Sequence, residues 1–184
     1  MFKHLKHILL FTASIFLLIL LVLNLYFNYD IPEYHGKQEI VGLKDTVEVH
    51  TDSYGVPHVF SKNNEDLFFT AGYLIARERL FQLSLIAAVG RGEISELLGN
   101  NYKELDDYIQ RNLTRATSDY DPVNSEYLSI IEAYCSGINA WIDESERALP
   151  ISFKILNTQP RKWTPLDVFN VIDRMTNNSL PTMQ

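Results

Sequence analysis

The strongest hydrophobic pattern in the chain is an apolar run near its N-terminus. Residues 8–25 are apolar apart from two hydroxyl residues and Asn24, and Lys3 and Lys6 precede them. Such a run is about long enough to cross a bilayer as a helix, at roughly 1.5 Å per residue. Positive charge before an apolar span favours a cytoplasmic tail. The pattern therefore predicts a transmembrane helix within residues 1–28, with the body of the protein on the extracytoplasmic side, periplasmic or extracellular.

A cleaved signal peptide is the alternative interpretation of this segment. The run is longer than the apolar core of most signal peptides, and residues 24–29 (NLYFNY) contain no pair of small residues typical of a cleavage site. These features favour an uncleaved signal anchor. A buried helix of a soluble protein is the weakest interpretation, because such helices are seldom apolar over this length.

A two-residue alternation begins after a predicted linker at residues 29–45. Apolar and polar residues alternate in 47–51 and again in 56–60, and Ser53-Tyr54-Gly55 separates the two runs. This arrangement is typical of a β-hairpin in which glycine occupies a position with positive φ.

A helical period follows the hairpin, from about Glu65 to Val89. Polar Ser61, Asn63 and Asn64 are candidate helix caps. The predicted buried face consists of Leu67, Ala71, Leu74, Phe81 and Leu85, widened by Phe68, Ile75, Leu83 and Ile86. The charged triplet at 77–79 interrupts this apolar sequence, so its side chains must either reach solvent or pair. We expect a solvated patch, because charged side chains are seldom fully buried.

The pattern of the remaining sequence predicts helices separated by glycine and proline residues. Gly90-Arg91-Gly92 should end the long helix. Further helices are predicted at about 93–98, 102–113, 122–142 and 165–176, with a short extended piece where Ile151, Phe153 and Ile155 alternate. The predicted fold class is therefore α+β and mostly helical.

Composition excludes several classes of function. The formal net charge is −7, with 16 basic and 23 acidic residues, so a nucleic-acid partner is not expected. The single cysteine, Cys135, excludes an internal disulfide, and its apolar neighbours predict a buried, unreactive thiol.

Catalytic patterns within the chain are weak. Outside the N-terminal segment the histidines are His35, His50 and His58, and they form no zinc-binding motif. His58 is expected to be a half-exposed hairpin residue. The acidic pairs Asp106-Asp107 and Asp119/Asp121 have polar, loop-like surroundings, which predicts a solvated face. We therefore predict no catalytic residue, metal site or cofactor in this chain.

Several ordered motifs nevertheless resemble the α-subunit region of the penicillin acylase family, whose members are N-terminal-nucleophile hydrolases. The matching segments, between Thr46 and Leu180, are YGVPHVF, AGYLIARERLFQ, GRGEISELLG, IIEAYCSGINAWI, LPISFKIL and QPRKWTPLDVFNVIDRM. The resemblance implies that residues 46–184 form the α-subunit part of an αββα fold.

The resemblance also implies a division of labour between two chains. In similar proteins the precursor is cut, and a serine at the new N-terminus of a β-subunit performs amide hydrolysis. The implied partners are that β-subunit, a membrane at the N-terminal helix, and a small amide such as a β-lactam, an acyl-homoserine lactone or a lipopeptide. Calcium is possible in the complete enzyme. The positions closest to the family's acyl-binding pocket are Met175, Asn178, Ser179 and Leu180.

Because no position here matches the nucleophilic serine, we expect this chain alone to be inactive. Helices that normally cover a β-subunit would also leave apolar faces exposed, so the isolated body should be poorly soluble or partly molten. The alternative hypothesis is a non-catalytic, membrane-tethered remnant or interaction protein.

Overall fold

The computed structural model describes residues 2–28, 36–116, 125–145 and 149–177, which fall into two compact units, Met1–Lys37 and Gln38–Gln184. Helix α1 (Phe2–Asn28) forms the first unit. Its segment from Lys6 to Leu25 is long and apolar enough to cross a membrane, by length and composition alone, and is exposed. A signal sequence meets the same test, so both interpretations of this helix stay open.

The second unit begins with the predicted hairpin. Strands β1 (Glu48–Thr51) and β2 (Pro57–Phe60) pair antiparallel, with His50 opposite His58. In the connecting turn, the Gly55 amide donates to the Asp52 carbonyl at 3.0 Å, and Gly55 has φ of +81°. A residue with a Cβ is strained at that φ, which explains the glycine and confirms the prediction.

Helix α2 (Asn64–Arg91) is the long helix expected from the sequence. Asn63 caps its N-terminus, because its side-chain oxygen accepts from the Asp66 amide at 2.7 Å. Gly92 ends it in the left-handed conformation. The helix is kinked at Arg79, whose φ and ψ are −140° and 30°.

The remaining helices of this unit, apart from the one at residues 151–156, lie close to their predicted positions. They are α3 (Ile94–Leu98), α4 (Lys103–Ala116), α5 (Ser125–Ser145), α6 (Ile151–Leu156) and α7 (Pro165–Asn177), with one 3₁₀ turn at Asn100–Tyr102. The predicted helix start near Pro122 and the acidic residues Asp119 and Asp121 lie outside the described residues. The core is built from α2 and α5 with contributions from α6 and the segment before α7, and contains Ala76, Leu80, Leu83, Ala87, Cys135, Ile138, Ile142, Leu149, Phe153 and Trp163.

Two glycines bring α2 and α5 into close contact. A Cβ on Gly72 would lie 2.1 Å from the Tyr134 carbonyl oxygen, and a Cβ on Gly137 would lie 1.9 Å from the Phe69 carbonyl oxygen. Both distances are far below van der Waals contact, so the helix backbones touch where side chains are absent.

This contact moves the buried face of α2 away from the predicted one. Of the five residues predicted at its centre only Leu74 is buried, while Phe68 and Ile75 are exposed. The buried apolar side chains of α2 that were not predicted include Phe69, Tyr73, Ala76, Leu80 and Ala87, whereas Leu83 is buried as predicted. The prediction was wrong in its centre because it weighted large apolar residues and gave glycine no role in packing.

The extended piece predicted at residues 151–155 is wrong, since this segment is helix α6. Phe153 is fully buried, and its ring packs edge-on against Phe81 with the ring centroids 5.3 Å apart. Ile155, in contrast, is 74% exposed. Asn157 ends the helix in the left-handed conformation. The buried Phe153 ring holds this segment against the core. Three alternating apolar residues were too few to distinguish strand from helix.

The solvated face predicted for Asp106 is also wrong. Asp106 is buried in α4, and its carboxylate accepts from the backbone amides of Ile94 at 2.7 Å and Ser95 at 2.8 Å. It therefore caps α3, whose own N-cap residue, Glu93, makes no side-chain cap bond. Its neighbour Asp107 is exposed, as predicted.

Candidate functional site

The end of α2 meets the start of α7 at a buried ion pair. The Arg91 Nε donates to Asp167 Oδ1 at 2.5 Å, and a second guanidinium nitrogen donates to the Lys162 carbonyl at 3.3 Å. The Asp167 side chain is almost completely buried and that of Arg91 nearly so. The GRGE and WTPLD segments, distant in sequence, are joined at this point.

The same carboxylate closes the first turn of α7. Asp167 Oδ2 accepts from the Thr164 amide at 2.7 Å and from its hydroxyl at 2.9 Å, which is the carboxylate half of a capping box. Burial by itself would raise the pKa of Asp167, but hydrogen bonds from Arg91 and Thr164 outweigh that effect and lower the pKa below its usual value. Asp167 therefore stays ionised at neutral pH.

The residues just before α7 are also attached to α5. The Asn139 side chain donates to the Trp163 carbonyl at 2.8 Å and accepts from the Trp163 amide at 2.7 Å. Lys162 donates to the Asn139 carbonyl at 3.0 Å and pairs with Asp143. These contacts fix the path of the chain into α7.

A shallow groove lies beside this junction, between the end of α2, α3 and the segment at 158–163. Arg161 at its edge pairs with Glu93, and with Glu96 at 3.8 Å. Ser84 on the groove wall has a buried hydroxyl without a hydrogen-bond partner in the described part of the chain. The groove lies where helices pack together, and the charged side chains of Arg161 and Glu93 already have partners. We therefore assign no ligand to it.

The residues predicted to line an acyl-binding pocket are only partly described. Met175 lies in α7, about 12 Å along the axis from Asp167 at roughly 1.5 Å per residue, and is 70% exposed. Ile172, one turn earlier on the same face, is 49% exposed. Asn178, Ser179 and Leu180 lie outside the described residues. Their pocket role stays a prediction, and the structure adds that Met175 belongs to a helix held firmly at its other end.

Cys135 is unsuited to nucleophilic chemistry, as its sequence context predicts. The residue is buried, and burial, with smaller contributions from Asp167 and Glu132, raises the pKa of its thiol to about 12. A thiol with that pKa is almost entirely protonated near neutrality, and the thiolate is the reactive form.

The described histidines of the second unit lie on the hairpin surface. His58 Nε2 is 3.2 Å from Asp52 Oδ2, and both side chains are substantially solvent-exposed, which confirms the half-exposed position predicted for His58. His50 packs edge-on against Phe60 at 5.6 Å. His35 falls outside the described residues, and within the described ranges no three His, Cys, Asp or Glu side chains are grouped so as to hold a metal ion.

The charged triplet in α2 is only partly solvated. Glu78 and Arg79 are exposed as predicted, but the Arg77 side chain is 13% exposed and pairs with Glu78 at 3.0 Å. The Arg77 side chain is thus mostly covered, and its charge is paired with Glu78.

The junction between α2 and α7 was missed by the sequence reasoning, although two signals were present. Arg91 lies between two glycines at a helix end, and Asp167 follows Thr164 at the spacing of a capping box. Each signal describes a local feature. Neither shows that the two side chains would pair with each other across 76 residues.

This chain is similar to known proteins in sequence. The penicillin amidase family profile matches residues 46–183. The chain is 32% identical to penicillin G acylase from Escherichia coli over an alignment of 128 residues, and this alignment covers 66% of this chain and 15% of that protein. It is 26% identical over 156 residues to an acyl-homoserine lactone acylase from Pseudomonas fluorescens, covering 82% and 19%.

The fold is similar to that of a solved enzyme. A structure of the thermostable penicillin G acylase from Alcaligenes faecalis matches with a TM-score of 0.63 at 26% identity, covering 73% of this chain and 76% of that chain. The two chains are therefore similar in length, whereas this chain spans less than a fifth of the curated relatives it matches. Since the profile match extends over most of the sequence and includes every element from β1 to α7, the chain belongs to the penicillin amidase family.

Proposed function

We propose that this chain supplies the N-terminal, mainly helical part of an enzyme that hydrolyses linear amides, with the nucleophilic serine on a β-subunit. The observation that carries the proposal is the match of residues 46–183 to the penicillin amidase family profile, which is supported by the fold similarity to a penicillin G acylase over 73% of this chain. The matched crystal chain, similar in length to this one, supports a working unit assembled from more than one chain.

The proposed chemistry is acyl transfer through the N-terminal serine. Its free α-amino group, whose pKa in peptides is about 7.7 to 8.0, takes the hydroxyl proton as the oxygen attacks the amide carbonyl. The C–N bond then breaks, and the amine leaves with that proton. Water hydrolyses the resulting ester, which releases the acid and regenerates the serine.

The role of this chain in that reaction is to position one wall of the acyl site. The junction at Arg91 and Asp167 fixes the start of α7, and the exposed face with Ile172 and Met175 offers apolar surface to an acyl group. Asn178, Ser179 and Leu180 would continue that wall. The substrate class we propose is a small amide with an apolar acyl group, of the β-lactam, acyl-homoserine lactone or lipopeptide type.

We further propose that α1 anchors the protein in a membrane, with the body on the extracytoplasmic side. The length and apolar composition of the segment from Lys6 to Leu25 support this placement.

The proposal is tested by reconstituting both parts. Residues 1–184 are co-produced with a β-subunit polypeptide of the penicillin acylase family, processed to begin with its serine, and assayed with phenylacetyl and fatty-acyl p-nitroanilides. Turnover is expected only when both parts are present, and it should disappear when that serine is replaced by alanine.

Two outcomes would contradict the proposal. Hydrolysis by residues 1–184 alone would show that the nucleophile lies in this chain. A stable complex without turnover of either substrate would favour the alternative function, a membrane-tethered protein that binds a partner without catalysis.

A further inference from the structure

Residues 38–45, which we call the strap, precede the hairpin and belong to the second unit. They form no helix or strand, yet contacts at the start, middle and end of the strap attach it to the helices. At the start, the Gln38 side chain donates to Glu144 Oε1 in the last turn of α5 at 2.6 Å. The other oxygen of that carboxylate accepts from the Tyr73 hydroxyl of α2, also at 2.6 Å. Glu144 therefore joins the strap to both helices.

The middle of the strap lies against the Phe69 ring. Gly42 has φ of +119°, and a Cβ at this position would lie 2.6 Å from Phe69 Cε2. Both the backbone conformation and the close approach thus require glycine. Phe69 and Tyr73 are buried, and the strap contributes to their cover at Gly42 and at Gln38.

The end of the strap is held by a buried carboxylate. Asp66, in the first turn of α2, accepts from the backbone amides of Lys44 at 2.8 Å and Asp45 at 2.9 Å. The Asn63 side chain donates to the same carboxylate at 2.7 Å. Releasing the two amides would leave a buried charge with fewer donors, which is costly.

The two ends of the strap are therefore held with unequal strength. Gln38 and Glu144 are both exposed, so water can replace their hydrogen bond when the strap leaves. The carboxylate of Asp66 is covered, so water does not readily replace the two amides bound to it. We expect the strap to detach first at Gln38.

We propose that residues 38–45 are a conformational device, a strap that closes over the α2–α5 contact and opens from its Gln38 end while its Asp66 end stays attached. Opening would uncover Phe69 and Tyr73, beside the glycines at which the two helix backbones touch. Because Gln38 is the end nearer to α1 in the chain, tension on the preceding segment acts on the weaker attachment. The strap involves only residues of this chain, so it does not depend on the hydrolase function.

Limited proteolysis of the whole chain in mild detergent tests the order of opening. Glu39 is a site for a glutamyl endopeptidase near the start of the strap, and Lys44 is a site for trypsin near its end. Initial cleavage rates, followed by mass spectrometry, are divided by the rates at the same bonds in a peptide of residues 34–50. We expect the normalised rate after Glu39 to exceed that after Lys44 at least about tenfold. Equal rates, or faster cleavage after Lys44, would overturn the proposal.

A matched pair of substitutions tests the attachment at Gln38. Gln38→Ala removes the hydrogen bond to Glu144, whereas Lys37→Ala changes an exposed neighbour. With each rate divided by that of the matching peptide, Gln38→Ala should raise cleavage after Glu39 by about threefold to tenfold. Lys37→Ala should leave that rate within about twofold of wild type. The same rate in both variants would argue against a latch at Gln38.

Two glycines with the same backbone conformation test whether the strap covers Tyr73. Gly36 and Gly42 have φ of +122° and +119°, so alanine is strained at both, but nothing lies within 4 Å of a Cβ at Gly36. Gly42→Ala should push the strap off the Phe69 ring. Nitration of Tyr73 by tetranitromethane, measured relative to exposed Tyr54, should then rise at least about tenfold, and less than about threefold in Gly36→Ala.

The state of the helices in Gly42→Ala completes this test. Its far-ultraviolet circular dichroism should match that of wild type, because the strap contains no helix. Nitration of Tyr73 at the wild-type rate in Gly42→Ala would show that the strap does not cover this residue. Loss of helical signal would also overturn the proposal, because the strap would then be inseparable from the helical core.

Discussion

Replacing Gly72 by alanine tests the helix contact that organises the core. Helix propensity alone favours alanine over glycine by about 1 kcal/mol. The new Cβ, however, would lie 2.1 Å from the Tyr134 carbonyl oxygen, so α5 must move by about 1.3 Å to reach an ordinary contact of 3.4 Å. A backbone carbonyl in a helix cannot rotate away as a side chain can. The two helices must therefore move apart, which weakens packing over their whole interface.

The expected loss of stability is large. Inserting atoms into a packed core typically costs about 1–3 kcal/mol, and more where backbone must shift. Separating α2 from α5 also loosens the contacts of Phe69 and Tyr73 with α5. We expect Gly72→Ala to lower the free energy of unfolding by about 3 kcal/mol, even after the gain in propensity.

Urea unfolding of the whole chain in mild detergent, followed by tryptophan fluorescence, measures this effect. Gly90→Ala is the matched control on the same helix, because its Cβ would lie 3.3 Å from Asn170 Cβ, which is within a few tenths of an ångström of an ordinary contact. We expect the control to remain within about 1 kcal/mol of wild type. Equal stability of the two variants would refute the argument from close helix contact.

Three further predictions concern buried polar groups and the buried thiol. Because the pKa of Asp167 is lowered in the folded protein, its stabilisation is present above the unfolded pKa of about 3.9 and is lost as pH falls through the folded value. Asp167→Asn should therefore lower the free energy of unfolding by about 2–3 kcal/mol at pH 7 and remove the part of its pH dependence that comes from Asp167. Urea melts between pH 7 and pH 3 in which the variant and the wild type show the same pH dependence would contradict this. Asp106→Ala should cost about 1–2 kcal/mol in the same melts because α3 loses its cap, whereas exposed Asp107→Ala should cost less than about 0.5 kcal/mol, and similar losses would argue against a capping role. Cys135 should react with a thiol reagent at pH 8 only in urea, since burial raises the pKa of its thiol to about 12; rapid labelling of the folded chain would show that the site is open.

Local structure was largely predictable from the sequence. The hairpin around Gly55, the cap at Asn63 and the end of α2 at Gly92 follow from the conformations that these residues adopt within a few positions of themselves. Where the local signal was short, as at residues 151–155, the prediction failed, because burial of Phe153 in the core outweighed the pattern.

The sequence by itself determined the hairpin, the family, and the order and approximate bounds of the helices other than α6, since these depend on periodicity, turn residues and motif order. Only the tertiary structure decided which face of α2 is buried, that Asp106 caps α3, and that Arg91 pairs with Asp167. Local propensity acts over a few residues. Burial and ion pairing instead depend on which distant backbone comes close, and here Gly72 and Gly137 set that approach by having no side chain.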